Sequence, residues 1–328
     1  IYGGPDTFYV DSNLDSGTSY SYRVAAENET GYGEYATLDD VITLPAKVER
    51  IRSVSSTTSD ISIEWDAVRG AENYLLSINR GDAIQVPSDT RQFTASGLTA
   101  GSIYEISVTA SNRSGLGKSS SIVMSTLPDA PNEVIVKEIG AQEATLIIPE
   151  VPGATKYLIS VDGKEYETSS GEIVSTGLTG GKSYGFTVAA GNMAGYGEAA
   201  TGKFLTLPHM PNHVEAKSTV DSIELTWGAV PSATEYMVYD TNGQVIEQTD
   251  NSNIIINGLQ SGTEYVFEIA AVNASGMGKT ASYSYWTIPG ATEEIKIDSL
   301  TEQSAEISFS EVMGSTYYKI SVNEEEYI

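Results

Sequence analysis

The chain has no cysteine, two histidines, and 18 basic residues against 44 acidic ones in 328. Without cysteine there are no disulfides, no thiol nucleophile and no thiolate metal site, although this alone does not fix the compartment. A net charge of -26 repels nucleic-acid phosphates and anionic lipid, so neither partner is expected. The longest apolar runs are a few residues, as in "NIIIN" at 253–257, so no membrane insertion is expected. The first residue is Ile1 rather than Met and no signal peptide is visible, which reads as a piece of something longer.

What the chain does have is self-similarity. "NLDSGTSYSYRVAAENETGYGE" begins at Asn13, "GLTAGSIYEISVTASNRSGLGK" at Gly97, "GLTGGKSYGFTVAAGNMAGYGE" at Gly177 and "GLQSGTEYVFEIAAVNASGMGK" at Gly258. Each places a Leu six residues before a Tyr: Leu14 and Tyr20, Leu98 and Tyr104, Leu178 and Tyr184, Leu259 and Tyr265. The tyrosines are 84, 80 and 81 residues apart. A proline signal then closes each unit, "TLP" at 43, 126 and 206 and "TIP" at 287. Inside a unit the apolar period is two. Ile223, Leu225 and Trp227 share one face of "SIELTW"; Tyr265, Phe267, Ile269 and Ala271 share one face of "EYVFEIAA". Such alternation means strands with one buried and one wet face, and turn signals every 8–12 residues mean an antiparallel sandwich. No stretch has helical periodicity.

These residues resemble the fibronectin type III family over the whole chain. The resemblance is carried by an aromatic on strand B (Trp65, Trp227, with Ile148 and Phe309 in the same place) and a strand C tyrosine (Tyr74, Tyr157, Tyr236, Tyr318). The Leu-to-Tyr corner and an "N-x-x-G-x-G" turn after strand F complete it. It implies an all-β chain, a tandem array of Ig-like antiparallel β-sandwiches, in which the corner tyrosine buries its ring and gives its hydroxyl to the backbone. Ile148, beside Pro149, departs from the pattern and implies a slightly different core in that unit.

The expected organisation is three complete domains, 45–127, 128–207 and 208–288, with a half domain at each end. Residues 1–44 would supply an E-like strand, the corner, F and G; residues 289–328 would supply A, B and C. The halves together make one repeat in length. Either the chain is a segment of a longer array, or the tail half of one copy completes the head half of the next by strand complementation. Linkers are nearly absent, so the array is expected to be elongated and semi-rigid, each unit touching only its neighbours.

Candidate chemistry is sparse. Arg80, Gly81 and Asp82 spell an adhesion tripeptide, but they fall on the turn after strand C, where the other units carry "VDGKEY", "DTNGQV" and "VNEEEY". That is ordinary hairpin chemistry, and adhesive units of this family carry the tripeptide on the F–G loop instead. His209 and His213 have zinc-like spacing for a helix, but Pro208 and Pro211 forbid one, leaving a linker with two exposed histidines. The acidic run at 323–327 is expected to be a solvated turn. Asn28, Asn112 and Asn273 lie in N-x-S/T sequons, candidate glycosylation sites if a eukaryote secretes the chain. Asn192 holds the same place without a sequon, and this recurrence points to a local backbone role. No cofactor and no calcium linker are expected. The function expected is a non-catalytic stalk, spacer or filament-forming segment of an extracellular or surface protein, with neighbouring copies or repeats as end-to-end partners. The alternatives are an adhesion array for a receptor or glycan, and accessory modules of a secreted carbohydrate-active enzyme.

Overall fold

The computed structural model describes residues 3–323 and the backbone of Glu325–Tyr327. Glu324 and the side chains of 325–327, in the acidic run, lie outside the described residues. Every regular element described is a β-strand, and every strand pairing described is antiparallel. The chain divides into two compact units, 1–134 with 148–171 and 187–201, and 135–147 with 172–186 and 202–328.

In the first unit, Ile51–Ser56, Ile61–Trp65 and Gln92–Ala95 form a three-stranded sheet. Facing strands run in the order Gly115–Leu116, Ile103–Asn112, Asn73–Ile78, Ile84–Pro87, with Ser120–Ser125 also paired to Ile103–Asn112. The register sets Ile106 opposite Ile78, Val108 opposite Leu76 and Ala110 opposite Tyr74, so the inward sets of neighbouring strands line up. Ile61, Ile63, Trp65, Tyr74, Leu76, Ile106 and Val108 pack into one core, with Trp65 edge-on to Tyr74 at 5.5 Å. Each such side chain contributes about 1.5–3 kcal/mol on burial. On the outer face Arg52 joins Glu64 and Asp66 at 2.9 and 2.7 Å.

The second unit repeats this plan. Glu215–Ser218, Ser222–Thr226 and Asn253–Asn257 make the smaller sheet, and Val245–Thr249, Glu235–Tyr239, Glu264–Asn273, Gly276–Met277 and Ala281–Trp286 the larger. Ile223, Leu225, Trp227, Tyr236, Phe267, Ile269 and Ala271 form its core, and Trp227 meets Tyr236 edge-on at 5.2 Å. A further three-stranded sheet contains Ile135–Lys137, Glu143–Ile147 and Glu172–Thr176. Here Phe204 stacks on Tyr184 at 5.8 Å and tilts against Phe186 at 6.4 Å. Ile148, at the strand B aromatic position, is buried.

Residues 3–44 and 289–323 expose more of their apolar side chains. Ser19–Val24 pairs with Ala36–Ile42, and Ile295–Leu300 with Ala305–Phe309, each as a two-stranded sheet. The E-like strand expected in residues 1–44 does not form among the described residues before Ser19, where Phe8, Tyr9 and Val10 are 73, 57 and 75% exposed. The equivalent segment Gln92–Ala95 is a strand because Ile61–Trp65 lies beside it; among the described residues no ladder partner flanks Phe8.

Candidate functional site: an adhesion tripeptide turn and three repeated joints

Arg80, Gly81 and Asp82 sit between Asn73–Ile78 and Ile84–Pro87, on the hairpin turn. The Gly81 N–H donates to the Ile78 carbonyl at 2.8 Å, and the two central residues, Asn79 and Arg80, have φ of 49° and 60°. This is a turn whose right-handed strand twist requires positive φ at both central positions. Asn79 and Arg80 carry it, not the glycine. Asn79 anchors the turn: its Oδ1 accepts from the Glu105 N–H at 2.9 Å, and its own N–H donates to the Glu105 carbonyl at 2.8 Å. Arg80 reaches Glu105 at 3.6 Å and is 89% exposed; Asp82 is exposed. A shallow polar groove of about 260 Å³ beside it is lined by Arg80, Glu105, Ser107, Ser119, Ser120 and Ser121, which hold no nucleophile–base pair.

The histidines stand apart from any metal geometry. His209 is half-buried rather than exposed, and its Nε2 accepts the Gly180 N–H at 3.0 Å, so that nitrogen is deprotonated in this arrangement. His213 is exposed with φ of 52°. Among the described residues no cluster of His, Asp and Glu is arranged to hold a metal.

Each complete repeat uses two tyrosine hydroxyls as internal caps, and each terminal segment uses one. The N–H of Asp15, Thr99, Thr179 and Gln260 donates to the hydroxyl oxygen of Tyr20, Tyr104, Tyr184 and Tyr265, at 2.7–2.9 Å. The N–H of Val68, Val151, Val230 and Val312 does the same for Tyr74, Tyr157, Tyr236 and Tyr318, at 2.8–3.1 Å.

The N-x-x-G-x-G turns do more than the sequence suggested. The asparagine Oδ1 makes the expected local bond, accepting the N–H two residues on in Asn28, Asn112, Asn192 and Asn273. In three copies the other end of the amide leaves its own repeat. Nδ2 of Asn112, Asn192 and Asn273 donates to the carbonyls of Thr43, Thr126 and Thr206, at 2.8, 2.8 and 2.9 Å. Those threonines begin the "TLP" that closes the preceding repeat. The next residue seats on the turn: a Cβ placed on Gly115, Gly195 or Gly276 would stand 3.1, 3.6 or 3.3 Å from Cδ2 of Leu44, Leu127 or Leu207. The proline follows. A Cβ on Gly117 would stand 2.5 Å from the Pro45 carbonyl oxygen, and one on Gly197 or Gly278 closer still to those of Pro128 and Pro208.

A second contact backs each of the three joints and recurs a fourth time after residue 288. Gly17 lies against Gly70, Gly101 against Pro152 and Gly153, and Gly262 against Met313 and Gly314, backbone on backbone with no room for a side chain, while Gly181 lies against the Pro231 carbonyl and the Ser232 hydroxyl. The N–H of Gly17, Gly101, Gly181 and Gly262 also donates to the carbonyl of Leu44, Leu127, Leu207 and Ile288. The signal for all this was the recurrence of Asn, Gly and Thr at fixed places, but recurrence does not reveal the partner of a side chain.

The sequons sit within these turns. Asn112 and Asn273 are buried with Nδ2 bonded, whereas Asn28 is exposed.

Comparison with known proteins agrees with this architecture. The Fibronectin type III domain family matches residues 46–126 and 209–285. Receptor-type tyrosine-protein phosphatase eta of Gallus gallus is 28% identical over 330 residues, covering 91% of this chain and 23% of that protein. Myomesin-2 of Homo sapiens is 25% identical, covering 84% of this chain and 23% of that protein. The chain thus spans about a quarter of the length of either relative. A solved two-domain fibronectin type III segment from chicken tenascin is 22% identical, with a TM-score of 0.33, over 49% of this chain and 99% of that one. Residues 46–126 and 209–285 are thus fibronectin type III domains, and the same corner, core and turn residues recur in tandem along the chain.

Proposed function

We propose that the chain is a non-catalytic structural segment, a stalk or spacer, of an extracellular or surface protein. One observation carries this reading: the same joint recurs three times, built from Asn Nδ2 on a threonine carbonyl with glycines beneath a leucine and a proline. A device repeated at every join is what an array needs to transmit load from one repeat to the next. The polar groove near Arg80 offers no pairing of groups for catalysis, and a relative named as receptor-type supports a surface location. Pulling the chain between its ends tests the proposal. Repeats should unfold one at a time against a resisting force, each of ~80 residues releasing roughly 260–290 Å of contour. Extension with no force peaks would overturn it.

The exposed hairpin bearing Arg80 and Asp82 favours a second reading, adhesion to a receptor. Asp82→Glu keeps the charge and lengthens the side chain. Under the structural reading cell attachment to immobilised chain is the same for both proteins; loss of attachment with an unchanged melting curve would favour adhesion.

A further inference from the structure

The capping tyrosines put the three complete repeats in register, so the outer face of the larger sheet can be compared place by place. Three residues after Tyr74, Tyr157 and Tyr236 stand Ser77, Ser160 and Tyr239. One residue after Tyr104, Tyr184 and Tyr265 stand Glu105, Gly185 and Val266, and seven after them Ser111, Gly191 and Val272. The sheet therefore forms with a hydroxyl, a carboxylate or no side chain at these places in 45–127 and 128–207. In 208–288 all three are apolar, which folding does not require.

These apolar side chains are contiguous. Tyr236, Val238, Phe267, Ile269 and Ala271 point into the core, so their strand neighbours face outward. Directly paired residues share a face: Tyr239 is paired with Val245, Met237 with Ala270, and Val272 with Met277. The Tyr239 hydroxyl donates to Met277 Sδ at 3.0 Å, which joins the patch across strands. Val245 and Met277 are 50 and 46% exposed, and Met237, Tyr239, Val266 and Val272 are half-buried beside them. Methionine at two of the six places gives the surface an adaptable shape.

The rim has one sign. Glu235 is paired with Val272 and Glu268 with Tyr239, and Glu264 lies two residues before Val266 on the same face. The Gln248 side-chain amide donates to Glu235 and the Ser284 hydroxyl to Glu264; both donors are neutral, so neither bond compensates the charge. No lysine or arginine occurs from 218 to 278, whereas 128–207 has Lys156 in the place of Glu235.

We infer that this face of 208–288 is a docking surface for a protein partner whose own apolar patch is ringed by lysine and arginine. The apolar centre supplies affinity by excluding water, and the carboxylates steer and orient the partner. The same carboxylates repel an anionic lipid surface. A second copy of this chain, with a net charge of -26, would bring further negative charge to an acidic rim. The surface adds to the array a fixed repeat at which a partner is held.

The test measures binding of three synthetic helical peptides to the full chain by fluorescence anisotropy: an amphipathic Leu/Lys peptide, a Leu/Glu peptide of the same pattern, and a Ser/Lys peptide with the charge but no apolar face. Two double variants borrow residues from the sister repeats, where the sheet already forms with them. Tyr239→Ser with Val272→Ser copies Ser77 and Ser111, and Glu235→Lys with Glu268→Ser copies Lys156 and Ser107. Leu116→Ser, which removes an exposed apolar side chain from 45–127, is the control. Circular dichroism and melting curves identical to wild type establish that each variant folds. The Leu/Lys peptide should bind at least about tenfold more tightly than either other peptide, and each double variant should weaken it by at least about tenfold. Added salt should weaken it as well, and Leu116→Ser should not. Equal binding of the Ser/Lys peptide would mean general attraction to an acidic chain and would overturn the inference, as would Leu/Lys binding that either double variant leaves unchanged. Self-association of the wild-type chain in sedimentation, abolished by Tyr239→Ser with Val272→Ser, would overturn it in favour of a second copy.

Discussion

At the scale of single residues, the same amide explains both a core rule and a modification. Asn112 and Asn273 spend Oδ1 on their own turn and Nδ2 on the preceding repeat, and a glycan would occupy that nitrogen. Secreted from a eukaryotic cell, folded chain should therefore carry sugar at Asn28 and not at Asn112 or Asn273, read by mass spectrometry of glycopeptides; full occupancy of Asn273 in material with a native melting curve would contradict the buried bond. The strand B position shows the opposite case, a polar group left idle. The indole N–H of Trp65 and of Trp227 is buried with no hydrogen-bond partner among the described residues, so the site selects for volume and not for a donor. Ile148 and Phe309 can stand there for that reason. The tyrosines opposite are more constrained, since each hydroxyl caps a backbone N–H.

At the scale of elements, strands are dictated by alternation and joints by close approach. Gly278→Ala inserts a methyl where the Pro208 carbonyl lies and should cost about 1–3 kcal/mol, as overpacking does elsewhere. Gly33→Ala, at the same place in the Asn28–Gly33 turn, where a Cβ would meet only the Ala26 carbonyl oxygen at 3.6 Å, should leave the melting temperature of this chain unchanged; equal losses would mean the glycine serves the turn and not the joint. The first joint has an ionic component as well. Arg113 contacts both the carboxylate and the carbonyl of Asp40, the latter at 2.8 Å. The Asp40 carboxyl is held below its usual range, first by the Ser19 hydroxyl and then by Arg113. A carboxyl lowered in the folded state favours the joint above the ordinary carboxylate range, and that contribution is lost as pH falls through the lowered value. Hydrogen exchange at Ser114 should rise on such acidification, weakly and less so in high salt because the pair is exposed. Asp40→Asn should remove the dependence; if it persists, another group is responsible. Much of this scale was legible in the sequence. The period of two at Ile223, Leu225 and Trp227 identified the buried face, and the Leu-to-Tyr spacing identified the corner. The destination of Asn Nδ2 was not legible, because it depends on a carbonyl 66–69 residues earlier. Nor was the positive φ of Arg80, which hairpin twist imposes on whichever residue stands there, or the missing strand at Phe8, whose ladder needs a neighbour.

At the scale of the whole molecule, the shared part of the joint should be independent of which repeat stands on either side. The contacts common to all three joints are a threonine carbonyl, a proline carbonyl and glycine backbone, with one asparagine and one leucine as the side chains they share. Excising 128–207 as a block would leave Thr126 and Leu127 followed by Pro208, the same tripeptide, with Asn273 now facing the carbonyl that Asn192 held. The shortened chain should fold, and the slow exchange of the Asn273 side-chain amide should persist in its NMR spectrum; an unprotected amide in an otherwise folded product would show that the joint reads its particular neighbours. Such an array can be lengthened or shortened only by whole divisions, and recombination between any two of its closing tripeptides should regenerate the same joint.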